Sequence, residues 1–197
     1  MYTISHIRRE DAEWPGARKR LSNGRLLKGL CRGDVAADPI RRIYLADASG
    51  VLVAETTKRP KRVVGLLIYE VTDEYEPGPS LYVHVLCSRL PGVGTALMRK
   101  AQDVAAELSL RWLRLGALDH VIGYYRKLGF RATSHPQCRE VGAVARAADR
   151  IAHLRFVSHN EAAADPRIQA ARAAAIAHGQ NLGEMILCLP TLSKNSR

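Results

Sequence analysis

The sequence predicts one α/β domain of the α+β kind, built on a mixed sheet. Three observations carry this. Two β-rich runs, VLVAETT and RVVGLLIYEV, flank a Lys-Arg-Pro-Lys turn in the manner of a hairpin. The hydrophobic period changes from strand-like to helical at Thr95. Beyond that point apolar strands and helices alternate as far as Thr133.

Taken in chain order, YTISHI alternates and reads as a first strand. REDAEWPGARKRLSNG is a charged, weakly helical stretch that stops at Asn23-Gly24. IRRIYLAD is apolar enough for a strand or for the end of a helix, and its pattern leaves both open. The hairpin follows, then an acidic loop with two prolines, DEYEPGPS, and another strand, LYVHVL. Leu97, Ala101, Val104, Ala105 and Leu108 then recur with the spacing of an amphipathic helix. WLRLGAL (112–118) is a strand, HVIGYYRKL a short helix, and Gly129 stands where a left-handed terminator belongs. FRAT resumes extended structure.

Residues 134–183 differ in character, because 14 of these 50 positions are alanine, interspersed with arginine. A helical insertion is expected there, with helices over Val141–Leu154 and Pro166–His178. Asp165 can cap the second helix, Pro166 suits its first turn, and Gly179 can end it. EMILCLP (184–190) reads as a last strand that returns to the sheet. The whole chain, 1–197, is expected to form a single domain with 134–183 inserted before that strand.

The formal charge is +11, and residues 1–62 carry 14 Lys and Arg against 7 Asp and Glu. Such a surplus suits an anionic partner, either a phosphate-rich cofactor or nucleic acid, and equally suits a solvated surface. Aromatic residues make up only 6%, and no stacking platform interleaved with Lys or Arg is legible. VVGLLIY is too short to span a bilayer, and MYTISHIRRED lacks the apolar core of an export signal. No membrane association is expected. Cys31, Cys87, Cys138 and Cys188 show no CxxC spacing, so neither a metal site nor a disulfide framework is expected, and a reducing cytoplasm is the default location.

The informative stretch is CSRLPGVGTALM, which places Arg89, Gly92 and Gly94 between a strand and the long helix. The first N–H groups of a helix lack internal partners and form an anion site. A pyrophosphate can use them only where side chains are absent, as at Gly92 and Gly94, and Arg89 can add a charge-assisted contact. Glycines at such a turn also serve simply to reach positive φ. A Walker loop would need a lysine where the chain has Gly94-Thr95-Ala96. A dinucleotide fingerprint would need a glycine at Leu97, although Asp119 is a partial match to its acidic residue.

RLPGVGTAL resembles the Q/R-x-x-G-x-G/A loop of the GNAT superfamily of acetyl-CoA-dependent N-acetyltransferases. VIGYYRKLGF resembles that family's second signature, and the two stand in the family's order and spacing. The resemblance runs from about Val63 to Thr133, with Met185–Leu189 as the final family strand. It departs from the family in having no Asn near Leu118 and in the length of the insertion. It implies a mostly antiparallel central sheet flanked by helices, and direct acetyl transfer from acetyl-CoA to a primary amine in a ternary complex.

On this resemblance, amides around Val93, Gly94, Thr95 and Ala96, with Arg89, would hold the pyrophosphate. Backbone around Val85, Leu86 and Cys87 would pair with the pantetheine arm, the Leu86 N–H polarising the thioester carbonyl. Tyr125 would be the general acid, with Tyr124 about 100° away around the helix and packing instead. His84, sharing a strand face with Tyr82 and Leu86, would be the general base. Glu70, Glu74 and Glu76 are the carboxylate alternatives. Cys87 is read as a packing residue. The acceptor can be a small amine, a protein amine or an aminoacyl-tRNA, and the 141–178 helices can cover its cleft or form a homodimer contact. Two other readings remain: an inactive GNAT-like regulator that binds CoA or nucleic acid, and a nucleotide-dependent oxidoreductase.

Overall fold

Strand β1 (Tyr2–Arg8) pairs antiparallel with β2 (Gly50–Thr56), which pairs antiparallel with β3 (Val63–Thr72). The register sets Ile4 beside Ala54 and Leu52 beside Leu67. The computed structural model describes residues 1–31, 37–73, 78–117, 121–132 and 184–188. They fall into two compact units: Met1–Thr72 with Leu81–Leu110, and Asp73–Ser80 with Arg111–Arg197.

In the first unit β4 (Ser80–Ser88) lies next to β3. One side of these strands carries α1 (Trp14–Leu21), α2 (Gly24–Cys31) and a compound helical segment. That segment runs α3 (Ala37–Pro39), a π-helical turn (Ile40–Tyr44) and α4 (Leu45–Asp47). Asn23 ends one helix and starts the next, its Oδ1 accepting from the amides of Arg25 and Leu26 at 3.0 and 3.2 Å. The segment IRRIYLAD, open at the sequence level, is therefore helical. Its inward residues Ile40 and Leu45, with Ala48 just beyond it, join Trp14, Leu21, Leu27 and Leu30 over Val51, Val53, Leu66 and Ile68. The Leu45 N–H bonds to the carbonyl of Ile40, a five-residue step that widens the turn.

The opposite side carries α5 (Val93–Glu107), whose buried stripe is Val93, Leu97, Met98, Ala101, Val104 and Ala105. This matches the predicted stripe except at Leu108, which caps the helix and is exposed. Gly65 lets α5 sit directly on β3: a Cβ there would collide with Val93 Cγ1 and lie 2.9 Å from Leu97 Cδ1. The far end of α5 is tied by charge, with Glu107 3.8 Å from Arg8 and 3.7 Å from Lys100. A polar pair, His6 Nε2 and Tyr69 Oη at 2.8 Å, joins β1 to β3. Burial pushes Tyr69 up to about 12 and holds His6 below its usual value, so both stay neutral at pH 7.

In the second unit β5 (Trp112–Gly116) pairs antiparallel with the last strand, β7 (Glu184–Cys188), which also pairs antiparallel with β6 (Arg131–Ala132). The return of the C-terminal strand is as expected. Between β5 and β6, α6 (Ile122–Lys127) ends at Gly129, whose φ is +91°. The proposed 141–178 helices, Cys138 and Asp119 lie outside the described residues. A mixed α/β fold with mostly antiparallel pairing is what the sequence predicted.

One expectation is overturned. Cys31, the last residue of α2, is disulfide-bonded to Cys87 of β4, with a Cα–Cα distance of 4.9 Å. Cys87 packs in the core as expected, yet it is also a cross-link, and a disulfide is present where none was expected. The pair is 56 residues apart in sequence, so only the docking of α2 on β4 brings the two together. Among the described residues, no helix is long and apolar enough to cross a membrane.

Candidate active site

The strand-to-helix hinge begins at Arg89, whose N–H bonds to the carbonyl of Val64 on β3 at 2.9 Å. Gly92 caps α5 with φ +79°, and a Cβ there would meet nothing within 4 Å. The dihedral, rather than lack of room, is what demands glycine at 92. The Val93 amide turns back to Leu90 O at 3.3 Å, and that of Ala96 bonds to Gly92 O at 3.0 Å. The amides of Gly94 and Thr95 have no backbone acceptor among the described residues. Of the four amides expected to be available, two are already engaged within the turn and two point out of the helix start. The Arg89 guanidinium lies about 4 Å from where a side chain on Gly29 of α2 would begin, so a small residue there gives it room.

Strand β4 departs from simple alternation. Val85 and Cys87 enter the core beneath α1, α2 and the π-helical turn. Their neighbour His84 reaches that same side, because its ring stacks on Tyr44 (centroids 5.1 Å apart, 17° between planes) and bonds to Glu70. Adjacent residues that share a face mark a β-bulge. Leu86, between Val85 and Cys87, therefore points to the opposite side. The expectation that His84 and Leu86 share a face is corrected, while Tyr82 does accompany His84, with ring centroids 5.0 Å apart.

The same bulge assembles a polar cluster. His84 Nε2 and Glu70 Oε2 are 2.9 Å apart, with side chains 17% and 32% exposed. Sequence reasoning named these two residues as competing bases, and the fold joins them. It missed Tyr44, which enters through the π-helical turn. The available signal was its i+4 spacing from Ile40 in a segment whose helical form was undecided. Glu74 and Glu76 lie outside the described residues.

No family model and no curated protein matches the sequence. Solved structures do match. A candidate N-acetyltransferase from Lactobacillus plantarum superposes with a TM-score of 0.50 at 16% identity, over 71% of this chain and 91% of that one. The NatC complex bound to Gag peptide and CoA contains a chain that matches with a TM-score of 0.50 at 13% identity, over 68% and 86%. The chain has the GNAT acetyltransferase fold.

Within the second unit of this GNAT fold, Tyr125 is 8% exposed. It meets Phe130 edge-on at 5.7 Å and Tyr124 at 5.0 Å. Burial, reinforced by Tyr124, pushes its phenol well above the usual tyrosine value, so it is fully protonated at neutral pH. A free thiol ionises near 8.5, so such a phenol cannot pass its proton to a thiolate downhill. It can still donate a hydrogen bond to one.

Proposed function

We propose that the chain is an N-acetyltransferase that moves the acetyl group of acetyl-CoA to a primary amine by direct attack in a ternary complex. The observation that supports this most is the Arg-x-x-Gly-x-Gly hinge, with the Gly94 and Thr95 amides unengaged by backbone at the head of α5 beside Arg89. In this reading the coenzyme pyrophosphate sits on those amides, helped by the helix dipole and by Arg89. Gly92, Val93 and Ala96 shape the turn around it. The Leu86 N–H polarises the thioester carbonyl, and His84 accepts the proton of the attacking ammonium. The acceptor is a primary amine of a small molecule, a protein or an aminoacyl-tRNA.

Calorimetric titration with CoA tests the carrying observation. Arg89→Ala should weaken CoA binding by about 10- to 100-fold, the scale of one hydrogen bond to a charged group. Unchanged affinity would remove the hinge from the coenzyme site. Thiol release over a panel of polyamines, peptides and aminoacyl-tRNA then identifies the acceptor. Coenzyme binding without transfer to any amine would favour a non-catalytic CoA-binding module.

Tyr125 has a narrower role in this proposal, as donor of a hydrogen bond to the departing thiolate, which takes its final proton from solvent. Tyr125→Phe should lower kcat by about 10- to 100-fold and leave acetyl-CoA affinity intact, consistent with a contact made only as charge develops. An undiminished kcat would leave Tyr125 a packing residue.

A further inference from the structure

We infer that Glu70 is a positioning residue that makes His84 a one-sided base, holding the proton on Nε2 so that Nδ1 is the atom that deprotonates the acceptor amine. The inference rests on the transferase reading above and goes beyond it in assigning the atom and its support. Three contacts carry it. Glu70 Oε2 lies 2.9 Å from His84 Nε2, and an ionised carboxylate can only accept, so that nitrogen must bear the hydrogen. In a neutral imidazole the other nitrogen, Nδ1, is then the acceptor. No hydrogen-bond partner for Nδ1 occurs among the described residues.

Tyr44 fixes the ring plane. Its ring lies 5.1 Å from that of His84 and is inclined by only 17°, so it covers a face of the imidazole rather than its Nδ1 edge. Tyr82 sits against the ring at 52°, which limits rotation from the strand's own side. The charged and titratable groups facing His84 among the described residues are therefore Glu70 from β3, Tyr44 from the π-helical turn and Tyr82 from β4. With side chains 17% and 32% exposed, the pair is shielded yet reachable.

The step balances simply. The acceptor ammonium gives one N–H proton to Nδ1, and the freed nitrogen lone pair attacks the thioester carbonyl carbon. The C–N bond forms, the C–S bond breaks, the sulfur leaves with the bonding pair, and the acylated nitrogen sheds its second proton through solvent to that thiolate. The resulting imidazolium keeps its Nε2–H on the Glu70 carboxylate, which offsets the new charge and later releases the Nδ1 proton to solvent.

The test uses the full-length protein with Glu70→Gln, Glu70→Asp and His84→Asn. Glu70→Gln, which removes the fixed tautomer preference because an amide can either accept from or donate to Nε2, should cut kcat/KM for a responsive amine by about 10- to 100-fold, the scale of losing an outer-shell partner. Glu70→Asp should recover part of that loss, and all three variants should keep acetyl-CoA affinity. Nitrogen-15 NMR of labelled histidine, with the His84 signal assigned from His84→Asn, should report the Nε2–H tautomer in the unsubstituted protein. In Glu70→Gln it should no longer be the sole tautomer, the Nδ1–H form appearing beside it.

Undiminished turnover in Glu70→Gln, or an Nδ1–H tautomer in the unsubstituted protein, overturns the inference. So does His84→Asn retaining more activity than Glu70→Gln, which would make Glu70 itself the base. A protein that binds acetyl-CoA but acetylates no amine overturns the transferase reading, and the tautomer measurement still decides the pairing.

Discussion

Gly65→Ala should destabilise the protein by about 1–3 kcal/mol, the usual cost of forcing a methyl into a packed interface. The new Cβ would press into Val93 Cγ1 and stand 2.9 Å from Leu97 Cδ1 and 3.2 Å from Ala54 Cβ. Valine is stiff at χ1 and Ala54 is fixed in the central strand β2, so the relief must come from α5 moving off the sheet. The moving part is the first turn of α5, which bears the Gly94 and Thr95 amides. Coenzyme affinity should therefore fall at least about tenfold along with stability, if those amides hold the pyrophosphate. Denaturant unfolding and CoA titration measure the two effects separately. Gly16→Ala is the control, because its Cβ meets nothing within 4 Å inside α1. That change should be neutral or gain up to about 1 kcal/mol from helix propensity. A Gly65→Ala protein as stable as its parent would mean that α5 does not rest on β3 at that point.

The second large effect belongs to the Cys31–Cys87 cross-link. Closing a loop between residues 56 apart removes chain entropy worth roughly 4 kcal/mol from the unfolded state in the loop-closure treatment. Cys31→Ser in oxidised protein should lose stability of that order and lower Tm by about 10 °C, at 2–4 °C per kcal/mol for a chain this long. The bond also pins the end of α2, and Gly29, two residues before Cys31, is where the Arg89 guanidinium rests. On the transferase reading, reduction should consequently weaken CoA binding as well. Alkylation under denaturing conditions provides the check, since Cys31 and Cys87 should react only after reductant is added. Free labelling of both without reductant would show that the pair is held as two thiols, the state a reducing cytoplasm maintains.

The legible parts of the fold share a cause. The β2–β3 hairpin, the α5 stripe and the Gly129 stop depend on local periodicity and on residues with restricted backbone choices, which a single chain displays. The hinge was readable for the same reason, because Gly92 needs positive φ where a strand yields to a helix. What stayed hidden depends on register or on distant partners. Nothing in LYVHVL announces an extra residue, since both faces of β4 are covered and its burial alternates through the bulge. Glu70 and His84 are 14 residues apart and meet only once β3 and β4 lie side by side. The π-helical turn has no propensity signature, and two isoleucines in IRRIY argue equally for a strand. The disulfide is a property of where α2 docks, which no cysteine spacing contains.

The bulge at His84–Val85 separates β4 into two independently adjustable halves. Gain or loss of one codon before His84 would swap which side chains the N-terminal half shows to the helical layer. Val85, Cys87 and the turn beyond them would hold their orientation. On the transferase reading, a chain built this way can trade one acceptor for another over evolutionary time while its coenzyme turn stays put.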